Sequence, residues 1–153
     1  MQPVPTESAV PSSMASPEAV RELERFTLAM PQVEIETQHL VHGGLYARTI
    51  FVPAGTLITG AQMNKDNICV MHGDMSVTTD EGTVRLTGFH VIPASAGFKR
   101  AGFAHADTYW TTLMPTQHTD LNDIEDEMTD ESSMLQTRRD QLDFTTNPVL
   151  KGQ

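Results

Sequence analysis

The sequence predicts a mainly β protein: a single antiparallel β-barrel or jelly roll, with a short N-terminal helix before it and a helical acidic C-terminal segment after it. Three observations carry this reading. Between residues 46 and 114, short runs rich in β-branched and aromatic residues alternate with Gly, Asp and Pro, and regular short spacing of that kind marks a sandwich or barrel. Residues 20–30 carry one apolar stripe at helical spacing, and residues 120–130 are dense in Asp and Glu around a few apolar positions. The 153 residues suffice for one domain with a core of its own. We divide them into an arm (1–16), a helix and lead-in (17–38), the barrel (39–116) and the C-terminal extension (117–153).

The arm carries Pro3, Pro5 and Pro11 with Ser8, Ser12, Ser13 and Ser16 and has almost no apolar content. Such a segment buries too little surface to offset the entropy of ordering itself, so it is expected to be fixed only by neighbouring subunits. Ser16 is placed to cap a helix, with Pro17 in its first turn and Glu18 facing the positive helix end. Val20, Leu23, Phe26 and Met30 form the apolar stripe, and Pro31 stops the helix. A helix this short is marginal alone. Its stripe, a candidate interaction surface, therefore packs either on its own barrel or on another chain.

The strand segments follow in order. Tyr46–Val52 ends at Pro53-Ala54-Gly55, and Thr56–Thr59 ends at Gly60. Asn67–His72 ends at Gly73-Asp74, read as a hairpin, and Met75–Thr79 ends at Asp80-Glu81-Gly82. Thr83–Thr87 ends at Gly88, Phe89–Pro93 ends at Ala94–Gly97, and Ala101–Met114 closes the stretch. Beyond it, Thr119 or Asp120 caps a second helix with Leu121, Ile124 and Met128 inward and Asp123, Glu125, Asp126 and Glu127 on its other faces. Met134, Leu135, Arg138 and Arg139 suggest a further short helix, and residues 143–153 read as a tail.

Composition excludes several classes. Ten basic and 20 acidic residues give a formal charge of −10, which is repelled by phosphate backbones and argues against nucleic-acid binding. Cys69 is the single cysteine and lies in a strand segment. It forms no internal disulfide and reads as a buried structural thiol. No run has the length of a membrane-spanning helix, and the N-terminus lacks a basic-plus-apolar signal pattern. Synthesis in the cytoplasm without export is the expectation.

Five stretches carry a family resemblance: Leu45-Tyr46-Ala47-Arg48-Thr49-Ile50, Pro53-Ala54-Gly55-Thr56, Thr59-Gly60, Ala96-Gly97-Phe98-Lys99-Arg100 and the acidic Asp120–Asp130 segment. With the order of the Gly turns, they resemble the cupin (RmlC-like jelly-roll) superfamily, and more closely a family of small cupin-like proteins of tailed bacteriophages. The likeness covers roughly residues 32–140 in motif order. It implies a phage origin and a cupin barrel.

Cupins with metal chemistry place two histidines and a glutamate on one hairpin and a third histidine on a later turn, donors that suit iron, manganese, nickel or zinc. Aligned on the resemblance, the first segment here reads Gly60-Ala61-Gln62-Met63-Asn64-Lys65-Asp66-Asn67, without histidine. Met63 and Asn67 stand where phage relatives carry histidines, Asp66 is spaced like the glutamate, and Arg100 stands at the later histidine. A guanidinium repels a cation and only donates hydrogen bonds. No metal or other cofactor is expected. The six histidines, His39, His42, His72, His90, His105 and His118, read as structural or exposed, and no Ser-His-Asp or Cys-His arrangement stands out. Gly43-Gly44 reads as a turn or bulge rather than a phosphate loop.

What remains is a barrel mouth where Gln62, Asn64, Lys65, Asn67 and Arg100 form a candidate ligand site, with Lys99 close by. Arg100 either pairs with Asp66 or another acid as a structural bridge, which is the preferred reading, or receives a carboxylate, phosphate or nucleotide. The leading functional expectation is a non-enzymatic bacteriophage structural or assembly protein. It would act in the virion through protein–protein contacts, as a homo-oligomer and with other phage structural proteins. The alternative is a small-molecule module that binds an anionic ligand or nucleotide in the barrel cavity. A metal-dependent cupin enzyme comes third.

Overall fold

A computed structural model describes residues 16–79 and 81–135 together with Arg138. The fold is mainly β: one curled antiparallel sheet of seven strands, with one helix before it and one after it. Helix α1 spans Pro17–Leu28, with Ser16 Oγ accepting from the Ala19 amide at 3.1 Å, and helix α2 spans Leu121–Met128 with Asp120 as its cap. The strands are β1 (Glu36–His42), β2 (Leu45–Val52), β3 (Leu57–Thr59), β4 (Asn67–Thr79), β5 (Gly82–Ala94), β6 (Ala101–Ala104) and β7 (Thr108–Pro115). The arm at 1–15 and the expected tail at 143–153 lie outside the described residues. Of the further short helix, only a single 3-10 turn at Ser132–Met134 is described.

The strand divisions differ from the sequence expectation in four places. Gly73-Asp74 is not a hairpin, because 67–72 and 75–79 form one strand, and Gly88 likewise lies within β5. Gly73 stands opposite Gly88 in the β4–β5 register, so both strands bend at one level. At Gly73, φ is +151°, and a Cβ there would lie 2.4 Å from Thr108 Oγ1, so the bend needs a residue without a side chain. The bend lets β4 serve two neighbours: its first half pairs with β7 and its second half with β6. The expected Ala101–Met114 strand accordingly splits. At the break, the amides of His105 and Ala106 donate to the Asp74 carbonyl. Finally, residues 36–42 form β1, an added edge strand joined to β2 by a two-residue turn, with φ +62° at Gly43 and +77° at Gly44.

Alternation along the strands separates two faces. Inward, Val52, Cys69, Met71, Met75, Val77, Ala104 and Trp110 make the main core. A second cluster of Tyr46, Met114, Ile124 and Met128 lies under α2, and a third of Val20 and Ala101, with Leu23, Leu57 and Phe103, lies under α1. Outward, the register aligns three rows. Phe89, His72, Tyr109, Phe51 and Glu36 form one, and Val91, Val70, Thr111, Thr49 and Gln38 the next. Pro93, Ile68, Leu113, Ala47 and Leu40 form the third.

Candidate functional site

The curled sheet lines a half-open cavity of about 490 Å³, within the size range of small-molecule sites. Ile50, Asn67, Cys69, Trp110 and Thr112 form one wall, and Met75, Val77 and Gly102 another. Leu28, Met30 and Val33, from the end of α1 and the segment after it, line it on the N-terminal side, and Met128, Glu131 and Leu135 on the C-terminal side.

Three cationic side chains line this cavity, Arg48, Lys99 and Arg100. Arg100 is the one among them that stacks on aromatic rings. It follows the Gly97 turn and precedes β6, where its Nη1 donates to the Thr78 carbonyl at 2.9 Å. Its guanidinium carbon lies 4.7 Å from the Phe98 ring centroid and 5.6 Å from that of Trp110. Stacking on aromatic faces orients a guanidinium and lowers the penalty of holding it inside a barrel. Asn67 is buried in the cavity wall: Nδ2 donates to the Lys65 carbonyl, and Oδ1 accepts from Cys69 Sγ at 3.4 Å. Burial pushes the Cys69 thiol above its ordinary pKa, and the charge of Arg100 opposes that shift.

The five residues expected at a barrel mouth therefore divide. Asn67 and Arg100 line the cavity together. Lys65 instead pairs with Glu127 at 2.7 Å, and Asn64 Nδ2 donates to Asp130 Oδ1 at 3.1 Å, so both hold the α2 segment to the barrel. Gln62 bonds to Arg21 and to the Gly97 carbonyl, bridging α1 and the turn before Arg100. Asp66 accepts from the Ala96 amide at 2.8 Å and so braces the same turn. The stripe on α1 divides as well: Val20 is fully buried on the barrel with Leu23 against it, whereas Phe26 is 70% exposed and Met30 51%.

Two buried charge clusters were not apparent from the sequence. Glu125 is fully buried on α2 and accepts from Arg48 Nη1 at 3.2 Å and Arg138 Nε at 2.9 Å. Arg48 also donates to Tyr46 Oη, whose hydroxyl lies 2.7 Å from His39 Nδ1. Burial first, and then the charge of Arg48, push the His39 pKa down. In the second cluster, Lys99 is 1% exposed and donates to Glu131 Oε1, the Gly60 carbonyl and Glu24. Burial opposes ionisation of Glu131, but hydrogen bonds from the Gln62 amide, Lys99 and Arg21 outweigh it and hold the carboxyl below its ordinary range. Alternation in Tyr109-Trp110-Thr111-Thr112 does point Trp110 and Thr112 inward. Nothing local announces the acids that meet Arg48 and Lys99.

Ser76 Oγ lies 2.8 Å from His105 Nε2. Ser76 is fully buried, and the Asp74 carboxylate two residues before it is gripped by two nitrogens of Arg85. The positions that match a cupin metal set do not fit a metal. Met63 packs under α2, Asn67 spends its amide as described, and Arg100 brings a like charge. Among the described residues, no group of three or more His, Cys, Asp or Glu side chains is placed to hold an ion.

Among solved structures, the fold is similar to KdgF from Halomonas sp., at 20% identity and a TM-score of 0.48, over 60% of this chain and 88% of that one. It is also similar to a cupin superfamily protein from Desulfitobacterium hafniense (11%, 0.47, over 57% and 83%). A third is a cupin-2 domain containing protein from Shewanella frigidimarina (12%, 0.42, over 61% and 91%). No family model and no curated protein matches the chain.

Proposed function

We propose that this protein is a non-enzymatic binding module whose barrel cavity receives a small anion, a carboxylate or phosphate ester carried on an apolar or planar body. The observation that carries this reading is the seat of Arg100 in the cavity wall, stacked over Trp110. A guanidinium there offers directional donors to an oxyanion, and the Met75, Val77 and Ile50 surfaces suit the remainder of the ligand. Arg48 and Lys99 also line the cavity, Arg48 held by Glu125 and Lys99 by Glu24 and Glu131. A thermal-shift screen of the full chain with nucleotides, sugar phosphates and small carboxylates tests it, because a ligand of the folded form raises the melting temperature. A shift seen in the native protein and lost in Arg100→Ala supports the reading. A panel without any shift, or a shift retained in Arg100→Ala, counts against it.

A second reading is an assembly role in a bacteriophage virion, with further copies of the chain and other structural proteins as partners and no nucleic-acid contact. It is supported by the resemblance of the 45–60 and 96–100 motifs and by the apolar outer face of the sheet. Mass spectrometry of purified virions tests it: the protein is expected in particles at stoichiometric level, and its confinement to infected-cell lysate would reject the role.

A further inference from the structure

We infer that the anion this cavity receives is a long-chain carboxylate, its head at Arg100 over Trp110 and its unbranched tail along the methionine-lined wall to the mouth. The inference rests on the cavity reading above and names the class of ligand. Charge is the first observation. Arg48, Lys99 and Arg100 line the cavity with Glu24 and Glu131, three cations against two carboxylates, in a chain whose formal charge is −10. One surplus cation suits a monoanion. A nucleotide polyphosphate would instead set several negative charges beside the two carboxylates, and like charges brought together are costly.

The lining is the second observation. Met30, Met63, Met75, Met128 and Met134 all line the cavity, five of the nine methionines in the chain. Methionine is unbranched, turns about three side-chain bonds and fills irregular gaps, so a wall of methionines adapts to a flexible aliphatic chain. A sugar or nucleobase instead needs directed hydrogen-bond partners. Several neutral polar side chains of the lining spend donors inside the protein. Thr27 donates to the Glu24 carbonyl, Gln32 to the Thr27 and Met30 carbonyls, and Thr37 to the Ile35 carbonyl. Thr59 donates to the Glu24 carboxylate at 2.8 Å, and Asn67 to the Lys65 carbonyl.

The mouth is the third observation. Leu28, Met30, Val33 and Met134 line the cavity and yet are 38%, 51%, 50% and 44% exposed. Large apolar side chains gathered at one opening mark a contact site, whereas the same residues scattered singly do not. An aliphatic tail laid across them removes both surfaces from water. Each methylene so buried raises affinity by about fourfold. An anionic head alone adds no apolar surface for these side chains to cover.

Calorimetric titration of the full chain with hexanoate, octanoate, decanoate and dodecanoate, each below its micelle concentration, provides the test, with decanol and adenosine monophosphate in parallel. One site per chain is expected, with affinity rising about fourfold per added methylene until the tail passes the mouth. Decanol should bind at least tenfold more weakly than decanoate, and Arg100→Ala should remove that difference. Met30→Ser with Val33→Ser, at half-exposed positions where the fold tolerates change, should weaken dodecanoate about tenfold and hexanoate little. Binding of hexanoate or adenosine monophosphate with no gain on lengthening overturns the long-chain assignment and leaves the anion reading standing. Absence of binding by every anion overturns both. More than one tail per chain, or dodecanoate affinity unchanged in both variants, also overturns the inference.

Discussion

Lys99 Nζ lies 2.9 Å from Glu131 Oε1, and this contact ties the barrel to the segment that follows α2. Glu24 of α1 reaches the same ammonium at 3.4 Å, so one buried cation gathers both helical extensions at the cavity. A lysine that is 1% exposed is tolerated only when its donors are taken. Removing either partner is therefore expected to be expensive. Lys99→Met should lower unfolding free energy by about 3 kcal/mol and Glu131→Gln by roughly 1–3 kcal/mol, read as the shift of a urea midpoint. Arg25→Ala, at an exposed pair with Glu22, should change stability by less than about 1 kcal/mol.

The same carboxylates set an acid limit. Hydrogen bonds from Lys65, then Thr116, hold Glu127 below its ordinary range, and the Arg85 hydrogen bonds do so for Asp74. Glu131 is depressed as well. Groups with depressed native pKa values bind protons more readily once the chain unfolds, so their contribution is full above the ordinary carboxylate value, about pH 4.3. It is lost as pH falls through the depressed native values. Melting temperatures should decline gently as pH falls below the ordinary histidine value, about 6.5, because the native state resists protonation of His39, and should drop steeply below the ordinary carboxylate value. In Glu131→Gln the drop should be shallower.

The stripe on α1 should behave as two halves. Val20 is fully buried against Ala101, Leu57 and Phe103, and Val20→Ala is expected to cost about 2 kcal/mol. Val20→Asp should detach the helix or unfold the protein. Phe26 is 70% exposed, and Phe26→Asp should leave the melting temperature of the isolated chain unchanged. Thermal denaturation followed by circular dichroism distinguishes the two.

These contrasts show what the sequence discloses and what it conceals. Alternation and turn residues made the barrel legible, and the Ser16 cap and Pro17 marked the start of α1. Gly73 and Gly88 misled because glycine signals an unusual backbone without saying whether the chain reverses or only bends. That depends on Thr108, 35 residues away from Gly73 in the chain and close against it in space. β1 was hidden because Gly43-Gly44 alone does not reveal that Glu36–His42 pairs back on β2. Asn67 and Arg100 were found from family spacing. Lys65, Asn64 and Gln62 were placed elsewhere by the docking of residues 127–131, a long-range event with no local signature.

The bend itself is testable. Gly73→Ala places a methyl against Thr108 Oγ1, Cα and Cβ, all within 2.8 Å, and backbone as well as side chain must shift. The expected loss is about 2–4 kcal/mol, combining overpacking with backbone strain. Gly88→Ala meets open space at φ +88° and should cost only about 1 kcal/mol. Equal losses at the two sites would show that the close approach at Gly73 is not what demands glycine.

Trp110 is the one tryptophan of the chain, and its ring lies in the cavity wall under Arg100. Its fluorescence therefore reports directly on occupancy, and titration of the full chain with the anion that gives the largest thermal shift is the most direct test of cavity binding. A saturable change in Trp110 emission in the native protein, weakened at least tenfold in Arg100→Ala by loss of about 1.4 kcal/mol or more, is the expected result. Emission that stays flat while the melting temperature rises would place the ligand outside the barrel and contradict the account.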